Sequence, residues 1–403
     1  MRRSFKYRAY VNKTTEANAN HWLDICRNLY NRALEHRINY YQSYKAIQNG
    51  IYEHRRTAKY CTCFDLFPVL PPEFISRCKK SISHYDQRVL TTPKKNHPEL
   101  WPVNSQCIDE VLERLDKAYK AFFRRVKEGK EKPGFPRFAN YDRYKSFRVS
   151  QSGWKLTGHN LYITNVGRFK LKLHRPIEGR IKTVTISREA GNKWYASFSC
   201  DDVPIKPLPK TNNAVGIDVG LLSFVTDSNG EKFPPPKHYI HAERELRVKQ
   251  RALARCKRGS NRRKKAKLQV SKLHEKVKNQ RKDFLRNLAI KYIRENDLVA
   301  VEGLNLKGMI QNKYLSKSIS DAAWSDFLMQ LEYKAEETQR KLVKVDPKYT
   351  SQICSDCGHI PEEKIGLSVR VYRCKKCGLI LDRDVNAAKN ILGRAAPSGA
   401  KGL

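Results

Sequence analysis

The sequence lacks the marks of a membrane or secreted protein. No apolar run approaches the ~18 residues that a spanning helix needs, so no membrane span is expected. The first residues, Met1-Arg-Arg-Ser-Phe-Lys-Tyr-Arg, carry charge with no apolar run behind them, so a secretory leader is not expected either. The eleven cysteines do not form a disulfide pattern. Seven are scattered (Cys26, Cys61, Cys63, Cys78, Cys107, Cys200, Cys256) and four stand in two Cys-x-x-Cys pairs. An odd total without a leader fits a reducing compartment, where such pairs mean metal. Acids are scarce as well. Against 80 Lys and Arg there are 40 Asp and Glu, a formal net charge of +40 spread over 403 residues. That excess calls for a polyanion, most commonly nucleic acid. The expected location is cytoplasmic and nucleoid-associated, and nothing requires a protein oligomer.

The length allows two to four domains. Phe5–Val11 alternates aromatic and basic residues as one strand. Thr14 or Thr15 is placed to cap a helix whose Trp22, Ile25, Cys26, Leu29 and Ala33 form one apolar face. Arg27, Arg32, His36 and Arg37 lie off that face and are candidates to meet phosphate. Residues 42–130 are expected to be mostly helical, broken at Pro68, Pro71, Pro72, Pro93 and Pro98, with a better helix over Val111–Val126. The stretch Lys132-Pro-Gly-Phe135-Pro-Arg137-Phe138, followed by Tyr141, Arg143, Tyr144, Lys145, Phe147 and Arg148, interleaves rings and cations. Rings can stack on bases and cations can meet phosphates, but an edge strand facing a core gives the same pattern. Residues 154–203 carry four period-two runs, enough for a small barrel of four or five strands that Phe5–Val11 can join. The helices would then be an insertion into that barrel. Pro204–Lys210 has the composition of a linker.

Beyond it, Ala214–Asp227 is a hairpin heading through Asn229-Gly230 toward a third strand. From Ala242 to Arg294 the chain is expected to be helical in two arms, broken at Gly259-Ser-Asn261. Residues 251–294 hold 17 Lys and Arg with only Glu275 and Asp283 as acids. Such a density repels itself without a polyanion, so Arg262, Arg263, Lys264, Lys265, Lys278, Arg281 and Lys282, with Phe135, Arg137 and Phe138, are the candidate nucleic-acid contacts. Leu298–Val301 is a short buried strand ending at Glu302. Ser320 or Asp321 is placed to cap a helix with a Trp324, Phe327, Leu328, Leu331, Ala335 core stripe. Leu342–Val345 is the next strand.

Two constellations carry chemistry. Cys354, Cys357, Cys374 and Cys377 read C-x2-C-x16-C-x2-C, four thiolates for one tetrahedral, closed, structural zinc. His359 is surplus to it. The second is a set of acids. Asp218 sits inside the apolar strand Val215–Gly220, where a charge is costly unless paired or bound to metal. Glu302 closes a strand, and Asp384 opens the helix Val385–Leu392. Converging on one edge of a mixed sheet, they can hold two magnesium ions ~3.5–4 Å apart and activate water for in-line attack on a phosphodiester. Asp384 can also be read as a mere N-cap, Glu302 as a surface acid, and Asp382 as the competing third acid.

Gly216-Ile-Asp218-Val-Gly, Val301-Glu302-Gly-Leu-Asn305-Leu-Lys-Gly-Met309 and Asp382-Arg-Asp384-Val-Asn386-Ala-Ala resemble the three RuvC motifs of the TnpB family of transposon-encoded nucleases, relatives of type V CRISPR effectors. Tyr349-Thr-Ser-Gln-Ile-Cys354-Ser-Asp-Cys357-Gly looks like that family's zinc ribbon, and Asn279-Gln-Arg-Lys-Asp-Phe284 like its nuclease-domain helix. The likeness is dense over 214–393 and looser at Arg27–Leu34 and Gly134–Phe138. It departs at Gly303, where an acid or Asn is more usual. The resemblance implies an α+β multidomain chain. A wedge β-barrel would span 1–11 and 133–207, an inserted helical recognition lobe 12–132, and a RuvC/RNase H-like nuclease domain 208–403 with a zinc-ribbon insert at 348–381. It implies an RNA-guided, magnesium-dependent DNA endonuclease (manganese can substitute) acting with a guide RNA from the transposon end on double-stranded target DNA beside a short protein-read motif. Asp218, Glu302 and Asp384 carry over as the triad, Asp384 being the acid followed by x-Asn. A guided DNA-binding repressor without cleavage, a transposase or transposition accessory protein, and a compact CRISPR effector are the other readings.

Overall fold

A computed structural model describes residues 1–48, 83, 86–88, 97–129, 132–304, 306–309, 316–363, 365, 366 and 369–395. The chain divides into two compact units, residues 2–203 and residues 204–403 with Met1.

In the first unit, β1 (Arg3–Tyr10) alternates buried and exposed side chains along its length. It runs antiparallel between β5 (Gly167–Lys172) and β7 (Lys193–Asp201), so the N-terminal strand is internal to its sheet. With β2 (Ser146–Val149), β3 (Trp154–Thr157), β4 (Asn160–Ile163) and β6 (Arg180–Glu189) it makes a seven-stranded barrel-like sheet, ordered β2-β6-β7-β1-β5-β4-β3. Seven strands exceed the four or five expected. The expected count leaves out β3 and β2, the latter lying in the stretch that reads either as an edge strand or as a nucleic-acid contact. Phe147 on the end strand β2 is buried against Trp22 at a ring separation of 5.2 Å, so the core-facing reading holds there.

Among the described residues, the two long helices of this unit are α1 (Lys13–Gln48) and α2 (Ser105–Lys127). Asn12, not Thr14 or Thr15, caps α1: its Oδ1 accepts from the Thr15 N–H at 2.7 Å, which makes Thr15 the third helical residue. Arg37 is not free for phosphate. It is buried, paired with Asp116 at 3.3 Å and bonded to Gln87 at 2.8 Å, and His36 is buried beside it. Pro68, Pro71, Pro72 and Pro93 lie outside the described residues.

In the second unit, β8 (Ala214–Val219), β9 (Val225–Asp227) and β10 (Lys232–Phe233) form an antiparallel meander. β11 (Leu298–Glu302) and β12 (Lys341–Val345) add parallel to β8, giving the order β10-β9-β8-β11-β12. Parallel strands require long crossovers. The first contains α3 (His238–Ala254) and α4 (Asn261–Glu295), the second α5 (Ser316–Ala322) and α6 (Trp324–Thr338). Ser260 caps α4 by accepting from the Arg263 N–H at 3.1 Å. On one face of the sheet Leu288, Tyr292, Phe327 and Leu331 pack with Val215, Ile217, Val299 and Val301. On the other, α7 (Arg383–Ala395) packs Ile391 and Ala395 with Ala300 and Val345. Coverage on both sides is why β8 and β11 read as continuous apolar runs.

Two expectations fail here. Pro204–Lys210 is no free linker: the Lys206 N–H donates to the Glu337 carbonyl at 2.9 Å, and Arg340 Nη2 donates to the Pro209 carbonyl at 2.6 Å. Neither Ser320 nor Asp321 caps α6. Both lie in α5, and Ala323, at φ +54°, makes the break before α6 without a side-chain cap.

Candidate active site and metal centre

The parallel pairing of β8 with β11 sends both strands in one direction, so the residues at their C-terminal ends share an edge of the sheet. Asp218 and Glu302 are those residues. Helix α7 brings the third acid. Its backbone lies so close to β8 that a Cβ on Gly216 would meet the Ala388 carbonyl oxygen at 2.1 Å and the Leu392 nitrogen at 2.7 Å. No residue but glycine permits this approach, which carries the first turn of α7, with Asp384, to the Asp218 edge.

The three carboxylates are each half-buried and electrostatically coupled. Burial first, then the charges of Glu302 and Asp384, push the Asp218 carboxyl well above the ordinary carboxylate range, while Arg383 pulls the other way. Burial also raises Glu302, opposed by a hydrogen bond from Thr350 and by Arg394. Asp382 has a different task. Its Oδ1 accepts from the backbone N–H groups of Asp384 at 3.0 Å and Val385 at 3.3 Å, and its Oδ2 pairs with Lys232 at 2.6 Å. Burial raises its carboxyl, but the Lys232 ammonium and these N–H donors hold it below the usual range. Asp382 is therefore the N-cap of α7, which leaves the Asp384 carboxylate free of that role.

The cysteines build a second centre from two copies of one turn. In each Cys-x-x-Cys-Gly the glycine N–H donates to the first cysteine's carbonyl, Gly358 to Cys354 at 3.0 Å and Gly378 to Cys374 at 3.1 Å. Both glycines adopt positive φ, +72° and +74°, a turn that side chains resist. Cys354 and Cys377 sulfurs stand 3.6 Å apart, as do those of Cys357 and Cys374. A tetrahedral ion with ~2.3 Å bonds to sulfur puts its ligands about 3.8 Å apart, whereas a disulfide needs ~2.05 Å. The donor set fits zinc. The Cys377 backbone N–H donates to Cys374 Sγ and, with that of Lys376, brings its thiol down to about 6, toward the thiolate that zinc requires. Among the described residues, these four are the only group of three or more His, Cys, Asp or Glu residues whose ligand atoms all lie within 4.8 Å of one another. The second knuckle lies in the hairpin of β13 (Val371–Arg373) and β14 (Ile380–Asp382), and β14 leads into α7.

Sequence reasoning used Asn386 only to single out Asp384 and gave no part to Asn390 or Thr350, which join the two centres with it. Asn386 is fully buried; its Nδ2 donates to the Ile353 carbonyl at 2.8 Å and its Oδ1 accepts from the Ser355 N–H at 2.9 Å. Asn390, one turn further on the same face, donates to the carbonyls of Thr350 at 2.8 Å and Ile353 at 2.7 Å. Thr350 Oγ1 donates to Glu302 Oε1 at 2.5 Å. The signal was two Asn at four-residue spacing in a helix interior, where Asn is unfavourable without partners.

The candidate nucleic-acid contacts divide. Arg262, Lys264, Lys265, Lys278, Lys282, Phe135, Arg137 and Phe138 are exposed. Arg263 is engaged at the α3–α4 turn, donating to the carbonyls of Leu253 at 3.0 Å and Cys256 at 3.1 Å. Arg281 is half-buried and paired with Asp321 at 2.5 Å. Both cations hold the helices together. Among the described residues no helix is long and apolar enough to cross a membrane.

Comparison with known proteins gives three family matches: "Probable transposase" over residues 197–313, "Cas12f1-like, TNB domain" over 324–391 and "Helix-turn-helix domain" over 1–46. The structure of the last stretch is β1 followed by one uninterrupted helix. A Streptomyces pristinaespiralis protein named "Putative RNA-guided DNA endonuclease" is 32% identical over 100% of this chain and 91% of its own length. InsQ of Escherichia coli, similarly named, is 31% identical over 72% of this chain and 74% of its own. "CRISPR-associated endodeoxyribonuclease Cas12f1" of Sulfoacidibacillus thermotolerans is 30% identical over 50% of each.

Proposed function

We propose that this chain, which belongs to the TnpB family of transposon-encoded nucleases, is an RNA-guided DNA endonuclease whose cutting site is Asp218, Glu302 and Asp384. The observation that carries the site is the convergence of the three carboxylates, with the Asp218 carboxyl pushed up first by burial and then by the charges of the other two. Three acids so placed repel one another, and a divalent cation relieves that repulsion. Three carboxylates brought together from three elements can hold two such ions ~3.5–4 Å apart. Such ions supply Lewis-acid activation of water and neutralise charge at the phosphodiester. Asp218, Glu302 and Asp384 bind and orient; Asp382 and Lys232 fix the helix that carries Asp384.

The mixed sheet, a three-stranded meander extended by two parallel strands, supports a RuvC/RNase H-like assignment for residues 208–403, with the zinc ribbon inserted at 348–381. The barrel-like sheet and α1–α2 support a wedge (1–11, 133–207) and a helical recognition lobe (12–132). Guide pairing reads sequence, so the protein needs charge, shape recognition and one cutting site, which the net charge of +40 and the exposed cations of α4 fit.

The test uses the protein purified with its co-expressed RNA, given plasmid carrying the matching target and magnesium. Asp218→Asn and Glu302→Gln should each lower cleavage on the order of 10³-fold or more while leaving RNA binding unchanged. Asp382→Ala should still cleave. Full cleavage by Asp218→Asn sinks the site. Joined rather than cut strands would favour the transposase reading.

A further inference from the structure

Thr350 lies outside both centres, on the segment between β12 and the first knuckle, and is buried. Its hydroxyl has one proton and two acceptors in reach, Glu302 Oε1 at 2.5 Å and the Pro347 carbonyl at 3.1 Å. The shorter contact, to a carboxylate, is the stronger one. It fixes one oxygen of Glu302 and leaves Oε2 for a ligand.

The turn that carries Thr350 is itself held. Asn390 takes the carbonyls of Thr350 and Ile353, and Asn386 takes the Ile353 carbonyl and the Ser355 N–H, the two residues that flank Cys354. Arg383 is buried and binds the same insert from its other side, donating to the Gly366 carbonyl at 2.5 Å and Ser351 Oγ at 3.3 Å. These clamps all come from α7, the helix that presents Asp384. A continuous set of hydrogen bonds therefore runs from the cysteine knuckle through residues 350–355 to Glu302, and back through α7 to Asp384.

We propose that Thr350 is a positioning residue for Glu302, and that the Asn386–Asn390 clamp makes the order of the cysteine knuckle a condition for divalent-cation binding at the carboxylates. This rests on the carboxylate-site reading above. The closed cysteine centre does no chemistry on the nucleic acid; it sets where Glu302 stands. Partners of metal-binding carboxylates in other proteins change metal affinity 10–100-fold when removed, and an effect of about that size is expected here.

The test titrates Mn2+ into the intact zinc-loaded protein without nucleic acid and reads bound and free ion by electron paramagnetic resonance. Thr350→Val keeps the side chain's shape and removes its hydroxyl; Thr350→Ser keeps the hydroxyl. Thr350→Val should weaken Mn2+ binding by about 10–100-fold, with zinc still at one per chain and thermal unfolding close to wild type. Thr350→Ser should bind as wild type does. In cleavage assays the Thr350→Val loss should shrink at high magnesium, a shift in metal requirement rather than in maximal rate. Unchanged Mn2+ binding in Thr350→Val, or equal weakening in Thr350→Ser, overturns the proposal. If Asp218→Asn leaves Mn2+ binding intact, or the wild type binds none, the carboxylate site itself fails and takes this inference with it.

Discussion

The two centres of the second unit are built in opposite ways. The cysteine centre takes four ligands from one insert of 24 residues, Cys354 to Cys377, and its two turns repeat the same glycine geometry and the same hydrogen bonds. Its sulfurs already stand at the spacing of a tetrahedral ion. The carboxylate edge takes its three acids from a strand, a strand end and a helix start, with Glu302 and Asp218 lying 82 and 166 residues before Asp384. Its acids are half-buried, and burial, then the charges of Glu302 and Asp384, hold the Asp218 carboxyl up. A site that must only hold an ion can be relaxed and local. In the proposed cutting site, where a phosphodiester would lie beside the ions, the acids come from distant parts of the fold and are held in place by it.

The largest expected effect falls on the local centre. Cys354→Ser should lower zinc from one per chain toward none by elemental analysis. It should cost stability on the order of several kcal/mol, part of the ~10 kcal/mol or more that structural zinc sites supply. Because Cys354 adjoins the turn held by Asn386, cleavage should fall with it; retained zinc and full activity would break the comparison.

Gly216→Ala comes next. The added methyl has nowhere to go against the α7 backbone, and overpacking of this kind costs about 1–3 kcal/mol. Chemical denaturation should show that loss. Cleavage should drop further than stability does, since the displaced helix carries Asp384. Zinc content should not change, which separates the two centres.

The smallest effect is one of pH. Folding raises the Asp218 carboxyl above its unfolded value, so the folded chain holds this proton more tightly. That contribution to stability is fully present below the ordinary Asp range and is lost as pH rises through it toward the higher folded value. Asp218→Asn removes the term. Without divalent metal the variant should match wild type in acid and become the more stable of the two toward neutral pH, while failing to cleave. Parallel stability curves across that range would show that the edge is not strained.

The cysteine centre was legible as spacing alone, because C-x2-C-x16-C-x2-C is a local geometry. The acids were legible as types in context: a carboxylate within an apolar strand, one closing a strand and one opening a helix. The roles of neighbouring residues were not. Asp382 and Asp384 are indistinguishable as acids at a helix start, and the backbone donors at Asp384 and Val385, with Lys232 150 residues away, decide which one caps. Arg281 and Arg263 looked like phosphate contacts because composition counts cations without showing their partners. Strand β2 was legible only as one of two readings of its ring-and-cation pattern, and β3 was not read as a strand although β4, equally short, was.

By itself, then, the sequence determined the charge that demands a polyanion, the knuckles, the strand–helix order of the second unit and the three acids. These depend on spacing, periodicity and composition, which are properties of neighbours along the chain. Only the tertiary structure decided that β1 lies inside its sheet, that the 204–210 stretch is pinned, that Gly216 lets α7 touch β8, and that Thr350, Asn386 and Asn390 tie the cysteine turn to Glu302. Each of these is a contact between residues distant in sequence, and its energy depends on distance, burial and direction that no local pattern records.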